Sequence, residues 1–478
     1  MSEHKYKRRD FLKTVGLGAA AAALPGCGGL LGNGGASREK PNFIIIFCDD
    51  LGYGDIGCFG SEKNRTPNID RMAQEGMRFT SFYVTSGVCS PSRSSLMTGC
   101  YPIRVGLDEN YKGFYVLFPV DKKGLNPKEI TIAEVLKQQG YVTACIGKWH
   151  LGDQPEFLPN RQGFDYYFGI PYSNDMGRGG NPPLPLMRNE KVIEAPVDQD
   201  MLTQRYTEEA IRFITDNKDK PFFVYLPHTM PHLPWHTSPA FKDKSPHGQY
   251  SDVVEELDWS TGQILTALKK LGIDDKTLVV FTSDNGGIGR VASNEPLSGG
   301  KSTTMEGGMR EPCVMRWPGK IPAGTSCDEI STTMDLLPTL ARLAGAKAPS
   351  DRVIDGKDIW PLMSGRRRAK SPYKMFCYYF KSQLHAVRSG KWKLHLPLKA
   401  KQHGWQGVPF EFSGALYDLE ADIGEKHNVI EQYPDVVRRL TGLAEKARVN
   451  IGDWHQPGKG CRPAGMVDNP KPLRLSVE

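Results

Sequence analysis

The chain has 478 residues, 39% of them hydrophobic and 24% charged, which is enough apolar material for a large core and excludes disordered and fibrous classes. Its formal charge is +7, but residues 1–40 hold seven Lys/Arg against three Asp/Glu, so the rest carries only +3 and no general nucleic-acid footprint. Ten cysteines, at 27, 48, 58, 89, 100, 145, 313, 327, 377 and 461, are too sparse for a disulfide scaffold and include no zinc-type Cys-x-x-Cys pair.

Residues 1–40 read as an export signal and spacer. Lys7, Arg8, Arg9 and Lys13 precede an apolar run over 14–24, shorter than the roughly 18 residues of a membrane span. The paired arginines followed by Phe11 and Leu12 resemble a twin-arginine leader, an address read by a translocase that exports folded protein; an ordinary secretory signal is the alternative. Residues 24–27 also resemble a lipobox, in which Cys27 becomes the acylated first residue. The expected location is therefore periplasmic or cell-surface, with a lipid anchor at Cys27 as one form of it.

A catalytic domain is expected over 41–370 and a smaller C-terminal unit over 371–478. Continuous apolar runs at 42–48, 221–226 and 277–282 suit strands buried on both faces, the habit of parallel sheets. Between them, Thr66-Pro67 predicts an N-cap and first-turn proline, Pro91 places Cys89 just before another helix, and Thr131 with Glu134 forms a capping box. A strand over 141–145 precedes Gly147-Lys148-Trp149-His150, while the Gly/Pro-rich stretch 174–200 reads as a long loop. Residues 346–372, with Arg366, Arg367 and Arg368, read as a solvated connection to short strands at 374–379, 386–388 and 391–396 and a helix over 434–447. The fold class is α/β, with a large mixed, mostly parallel sheet sandwiched by helices and a smaller C-terminal antiparallel sheet.

Asp49-Asp50 and Asp284-Asn285 each follow a predicted buried strand, the edge at which open α/β sheets bind ligands. Three carboxylates brought together repel unless a cation neutralises them, and hard oxygen donors favour Ca²⁺ or Mg²⁺. Cys89 stands at a helix start, where free N–H groups favour an anion. Lys148, His150, His228, His232, Lys301 and Arg93 add cations and imidazoles, which together make a pocket for an oxyanion with acids and bases for its transfer.

Cys89-Ser90-Pro91-Ser92-Arg93 in this company resembles the signature of the type I sulfatases, in the alkaline phosphatase-like superfamily. Residues 49–55, 89–99, 147–152, 169–173, 284–286 and 300–312 resemble arylsulfatase A motifs in the family's order, and 415–420 resembles its C-terminal subdomain. The resemblance implies hydrolysis of sulfate monoesters, on aryl sulfates or sulfated carbohydrates, by Cα-formylglycine made from Cys89 with the help of a formylglycine-generating or sulfatase-maturing enzyme. It further implies Asp49, Asp50, Asp284, Asn285 and residue 89 around Ca²⁺, with Mg²⁺ as the other hard cation. Arg93 and Lys148 would steady the aldehyde hydrate, with Asp284 as base for its attack on sulfur. Lys301 and His232 would bind sulfate and help the alcohol leave, and His150 would deprotonate the second hydroxyl. Ser173 would be a further sulfate contact. His232 is preferred over His228 because His-x-Pro matches the family's pattern. Asn174 stands where arylsulfatase A has a histidine, which puts aryl-sulfate preference in doubt; leaving-group selection is expected in 174–200, 289–298 and 402–412. The alternatives are a phosphomonoester or phosphonate-ester hydrolase of the same superfamily, or a non-catalytic surface lipoprotein that binds sulfated glycans.

Overall fold

The computed structural model describes residues 40–398, 402–403, 409–410 and 413–475. The leader, Cys27 and most of the segment 402–412 lie outside the described residues. Strands β1 (Asn42–Cys48), β2 (Met77–Tyr83), β3 (Val142–Ile146), β4 (Tyr166–Gly169), β5 (Leu186–Arg188), β6 (Lys191–Glu194), β7 (Phe222–Pro227), β8 (Thr277–Ser283), β9 (Arg310–Arg316), β10 (Thr325–Cys327) and β11 (Ser331–Thr332) form one sheet. Its order is β10-β2-β9-β8-β1-β7-β3-β4-β5-β6, with β11 also on β2. The five central strands β8 to β4 run parallel, while β9, β5 and β6 pair antiparallel with their neighbours.

Every residue of β1 is buried, and its side chains alternate between two cores. Ile44, Ile46 and Cys48 face the core under α1 (Pro67–Gln74), Leu202–Asp216 and Gln249–Lys270; Phe43, Ile45 and Phe47 face the core shared with α2 (Cys89–Thr98) and the helices Ile132–Lys137 and Leu336–Leu343. A strand covered on both sides needs no polar face, which is why its sequence is an unbroken apolar run.

The predicted capping box is present, with Thr131 Oγ1 accepting the Glu134 N–H and the Glu134 carboxylate accepting the Thr131 N–H at 3.0 Å. Thr66 does stand ahead of the Pro67 helix, but its hydroxyl makes no cap bond; it accepts the Gly57 N–H at 2.7 Å instead. Cys89 is the first residue of its helix rather than just outside it. Within the expected loop 174–200, β5 and β6 form an edge hairpin turned by Asn189, whose φ of 53° lies in the left-handed region that Asn tolerates. Strands this short take their register from β4, so no local periodicity announces them.

Beyond the connection, where Arg366, Arg367 and Arg368 are exposed, β12 (Phe376–Phe380), β13 (Gln383–Ser389), β14 (Trp392–His395) and β15 (Ala415–Asp418) make a four-stranded antiparallel sheet. The helix Pro434–Asn450 covers it through Leu440, Ala444 and Ala447, in a core that also takes in Tyr83, Val84 and Met309 from the large sheet's side. The described residues cluster as one unit. Among the described residues no helix is long and apolar enough to cross a membrane.

Candidate active site

The register of the parallel strands assembles the site. Phe47 on β1 pairs with Pro227 and Thr282, and Cys48 with Ser283, so the residues that follow β1, β7 and β8 emerge side by side. Backbone bonds extend the ladder past the strand ends: His228 N–H donates to the Phe47 carbonyl at 2.9 Å, Asp284 N–H to the Cys48 carbonyl at 3.0 Å and Lys148 N–H to the Pro227 carbonyl at 2.7 Å. That last bond brings the backbones so close that a Cβ on Gly147 would lie 1.9 Å from the Pro227 oxygen, so only glycine fits. Asp50 and His150 hold φ of 67° and 58°, a conformation costing on the order of 1 kcal/mol or more per non-glycine residue.

Asp49, Asp284 and Asn285 are fully buried, and Asp50 nearly so. Arg93, from the second turn of α2, donates to Asp284 Oδ2 through Nη2 (2.7 Å) and Nε (3.0 Å), and its Nη2 lies 3.4 Å from Asp49 Oδ2. Lys148 Nζ bonds to Asp49 Oδ2 and, at 3.1 Å, to Ser173 Oγ. Lys301 Nζ meets Asp50 Oδ2 at 2.7 Å, and Asn285 Nδ2 donates to Asp50 Oδ1 at 2.7 Å. Cys89 Sγ lies 3.5 Å from Asp49 Oδ1. The predicted set from strand ends, helix start and loops is thus brought together in one buried cluster.

The two histidines differ from the third in their surroundings. His150 Nε2 donates to the Leu117 carbonyl at 2.9 Å, which fixes the tautomer and leaves Nδ1 as a buried acceptor with no partner. His232 lies with Nε2 3.8 Å from Asp50 Oδ2 and Nδ1 2.5 Å from the Leu233 carbonyl. His228 turns to Ser260 Oγ and Tyr206 instead, and burial pushes its proton affinity down to about 3.

Electrostatics separates the carboxylates. Burial alone would raise Asp49, but Lys148, Arg93 and Lys301 outweigh it and hold it well below the usual carboxylate range. Burial and the neighbouring Asp49 push Asp284 up, with Arg93 opposing. Burial and Lys148 push His150 down, so it is neutral; burial and Lys301 do the same to His232. Burial and Asp49 raise the Cys89 thiol well above its ordinary value.

The cluster fits a metal site, and its carboxylate and amide oxygens are the donors that a hard divalent cation takes. Ligand atoms of Asp49, Asp50, Cys89 and His232 all lie within 4.8 Å of one another, and Asn285 Oδ1 is a buried acceptor with no protein partner, the kind of orphaned oxygen that a cation satisfies.

Two features escaped sequence reasoning, and a third position, Asn174, was singled out without its partners. Glu311 on β9 is fully buried with neither carboxyl oxygen hydrogen-bonded, and burial, Asp284 and Asp50 push its proton affinity well up; the motif 300–312 contained it without distinguishing it. The Leu117 carbonyl orients His150, and no side-chain pattern marks a backbone acceptor. Asn174 is buried, donating to the Pro234 carbonyl at 3.1 Å with its Oδ1 unpartnered. The nine described cysteines are all free thiols.

Comparison with known proteins adds the family. The profile described as Sulfatase matches residues 41–346, and that described as N-sulphoglucosamine sulphohydrolase, C-terminal, matches 300–449. The chain is 39% identical to human arylsulfatase A over 86% of its length and 89% of the relative's. It is also 39% identical to dog N-acetylgalactosamine-6-sulfatase, over 96% of this chain and 95% of that one. A solved Bacteroides thetaiotaomicron chain, described in connection with the metabolism of multiple glycosaminoglycans, superposes with a TM-score of 0.77 at 28% identity, covering 86% of this chain and 99% of that one. The strand-end carboxylates, helix-borne Cys89 and ring of cations are thus those of a chain that belongs to the sulfatase family and hydrolyses sulfuric esters.

Proposed function

We propose that the enzyme removes sulfate from a sulfated carbohydrate, using a Cα-formylglycine made from Cys89 and a calcium ion, with magnesium as the alternative hard cation. The observation that carries this reading is the state of Cys89. It lies at a buried helix start against Asp49, ringed by cations, yet its thiol is held protonated and is therefore a poor nucleophile. Conversion to the aldehyde hydrate supplies two hydroxyls on one carbon, so that one attacks sulfur and loss of the other's proton releases sulfate without water attacking sulfur. A cation held by Asp49, Asp50, Asp284, Asn285 and residue 89 supplies charge neutralisation and Lewis acidity.

The chain's own groups divide the remaining work. Arg93 and Lys148 orient residue 89, and Lys148, Ser173 and Lys301 offer donors to the sulfate oxygens. Asp284, whose proton affinity is raised, takes the proton of the attacking hydroxyl. The departing oxygen receives its proton from the Lys301 and His232 side, where the incoming anionic ester raises the proton affinity of His232. His150 Nδ1, unprotonated because Nε2–H is committed to Leu117, takes the proton of the second hydroxyl.

A carbohydrate leaving group is supported by the names of the relatives and by three exposed aromatic rings, Tyr111, Phe114 and Phe118, on the loop whose Leu117 contacts His150 and Ser90. Aromatic faces suit sugar rings. Because residue 89 is 2% exposed, conversion by a maturing enzyme precedes folding, and a twin-arginine translocase then exports the folded chain to the periplasm or cell surface. A lipid anchor at Cys27 belongs to the same proposal.

Mass spectrometry of the peptide containing residue 89, from protein made in its native host, should show the mass of formylglycine; unmodified cysteine alone would remove the proposed nucleophile. Cys89→Ala should lower sulfate release by about 1000-fold or more. A panel of defined sulfated sugars against nitrophenyl sulfate tests the substrate class, and turnover of the aryl ester alone would refute it.

A further inference from the structure

We propose that the C-terminal sheet is part of the catalytic apparatus, with Lys393 and Glu425 as positioning residues that fix the loop carrying Lys301. The inference rests on the reading of Lys301 as a sulfate-binding cation.

Lys393 on β14 is fully buried and donates from Nζ to the Thr304 carbonyl at 2.9 Å. The same ammonium pairs with Glu306 Oε1 at 3.0 Å and Glu425 Oε1 at 2.8 Å. Glu425 Oε2 accepts the Glu306 backbone N–H at 2.6 Å. The chain is thus gripped on both sides of Met305 by two side chains from the C-terminal unit. Thr304 Oγ1 meets His385 Nδ1 at 3.1 Å, and Tyr378 OH donates to Glu306 Oε1 at 2.7 Å, so that β12 and β13 contribute as well. Upstream, Lys301 N–H donates to the Gly287 carbonyl at 3.1 Å and Ser302 N–H to the Gly87 carbonyl at 2.8 Å. Those bonds tie the other end of the loop to the turn after Asn285 and to the segment before Cys89. Lys301 is therefore suspended between the metal-side turn and a clamp built by the C-terminal unit.

Stability alone does not call for this chemistry. A buried ion cluster costs several kcal/mol of desolvation per charge, and well-packed apolar residues often do as well or better. What multiple charge-assisted bonds provide is a single loop geometry. A few tenths of an ångström at Lys301 Nζ matter to an anion that it must meet directly.

The test is a double-mutant cycle read by titrating the calcium-loaded full chain with inorganic sulfate, a readout that needs no turnover. Glu425→Gln and Lys393→Met should each weaken sulfate binding by about 5- to 10-fold in the parent, but by less than about 2-fold in a Lys301→Ala background. Lys393→Met leaves two buried carboxylates short of a cation; if it does not fold, Glu425→Gln, which keeps the side-chain shape, decides alone, with its melting temperature measured alongside. Unchanged affinity in folded Glu425→Gln, or an equal loss with and without Lys301, overturns the clamp. If Lys301→Ala itself leaves sulfate affinity unchanged, the sulfate role of Lys301 falls, and the clamp with it.

Discussion

At the residue scale, the site works by giving chemically identical groups opposite protonation habits. Asp49 is surrounded by cations and stays charged, whereas Asp284 shares its neighbourhood with Asp49 and gains proton affinity. Two carboxylates with such different habits can serve one as permanent charge and the other as proton acceptor. Glu311 is the extreme case, with no hydrogen bond and two acidic neighbours. A carboxyl raised in the fold keeps its proton at pH values where the unfolded chain, ionising near its ordinary value of about 4.3, has lost it, so Glu311→Gln should gain stability relative to the parent as pH rises above that value, by up to about 1.4 kcal/mol per pH unit. Thermal melting at pH 6 and pH 8 checks the sign: a difference between parent and variant that stays constant across that window would show that Glu311 carries the same charge folded and unfolded there.

At the scale of elements, the functional groups sit where local structure ends. The turns after β1 and β8 hold the acidic groups, the loop after β3 holds Lys148 and His150, and α2 begins at Cys89. Local signals and tertiary ones were not equally legible. The Thr131 capping box was readable because its two bonds lie within four residues; Thr131→Ala removes the Oγ1 acceptor and should cost about 1 kcal/mol, measurable as a shift in denaturant midpoint. A variant with the parent's midpoint would show that the box contributes nothing. Thr66 had the same appearance, yet its hydroxyl serves Gly57, nine residues away, and the edge hairpin β5–β6 exists only because β4 offers it a partner.

On the whole-molecule scale, buried histidines couple stability to pH. His228 titrates near 3 in the fold because burial penalises its charged form, against about 6.5 in an unfolded chain. Below 6.5 the unfolded chain takes up a proton that the folded one refuses, so this residue's stabilising contribution is present above 6.5 and lost as pH falls. His228→Gln removes that loss. Relative to the parent, the variant should gain about 1.4 kcal/mol of stability per pH unit below 6.5 and show no such trend above it. Melting temperatures at pH 5 and pH 7.5 check this, and parallel pH dependences would contradict it. The same scale brings in the C-terminal sheet, whose Lys393 reaches a loop 92 positions away from it in sequence at Lys301 and makes two sheets parts of one centre.

The sequence by itself determined the apolar strands, most helix starts, the family and the identity of the clustered side chains, because burial on two faces, capping and motif order are all written in neighbouring residues. Only the tertiary structure decided what those side chains do to one another. The tautomer of His150 depends on a carbonyl 33 residues away, His228 and His232 differ because one meets Ser260 and Tyr206 and the other Asp50, and the raised proton affinity of Glu311 comes from burial and from carboxylates at two other strand ends. Charge, proton position and backbone acceptors act through space over a few ångströms in a dry interior, and sequence distance carries no record of that.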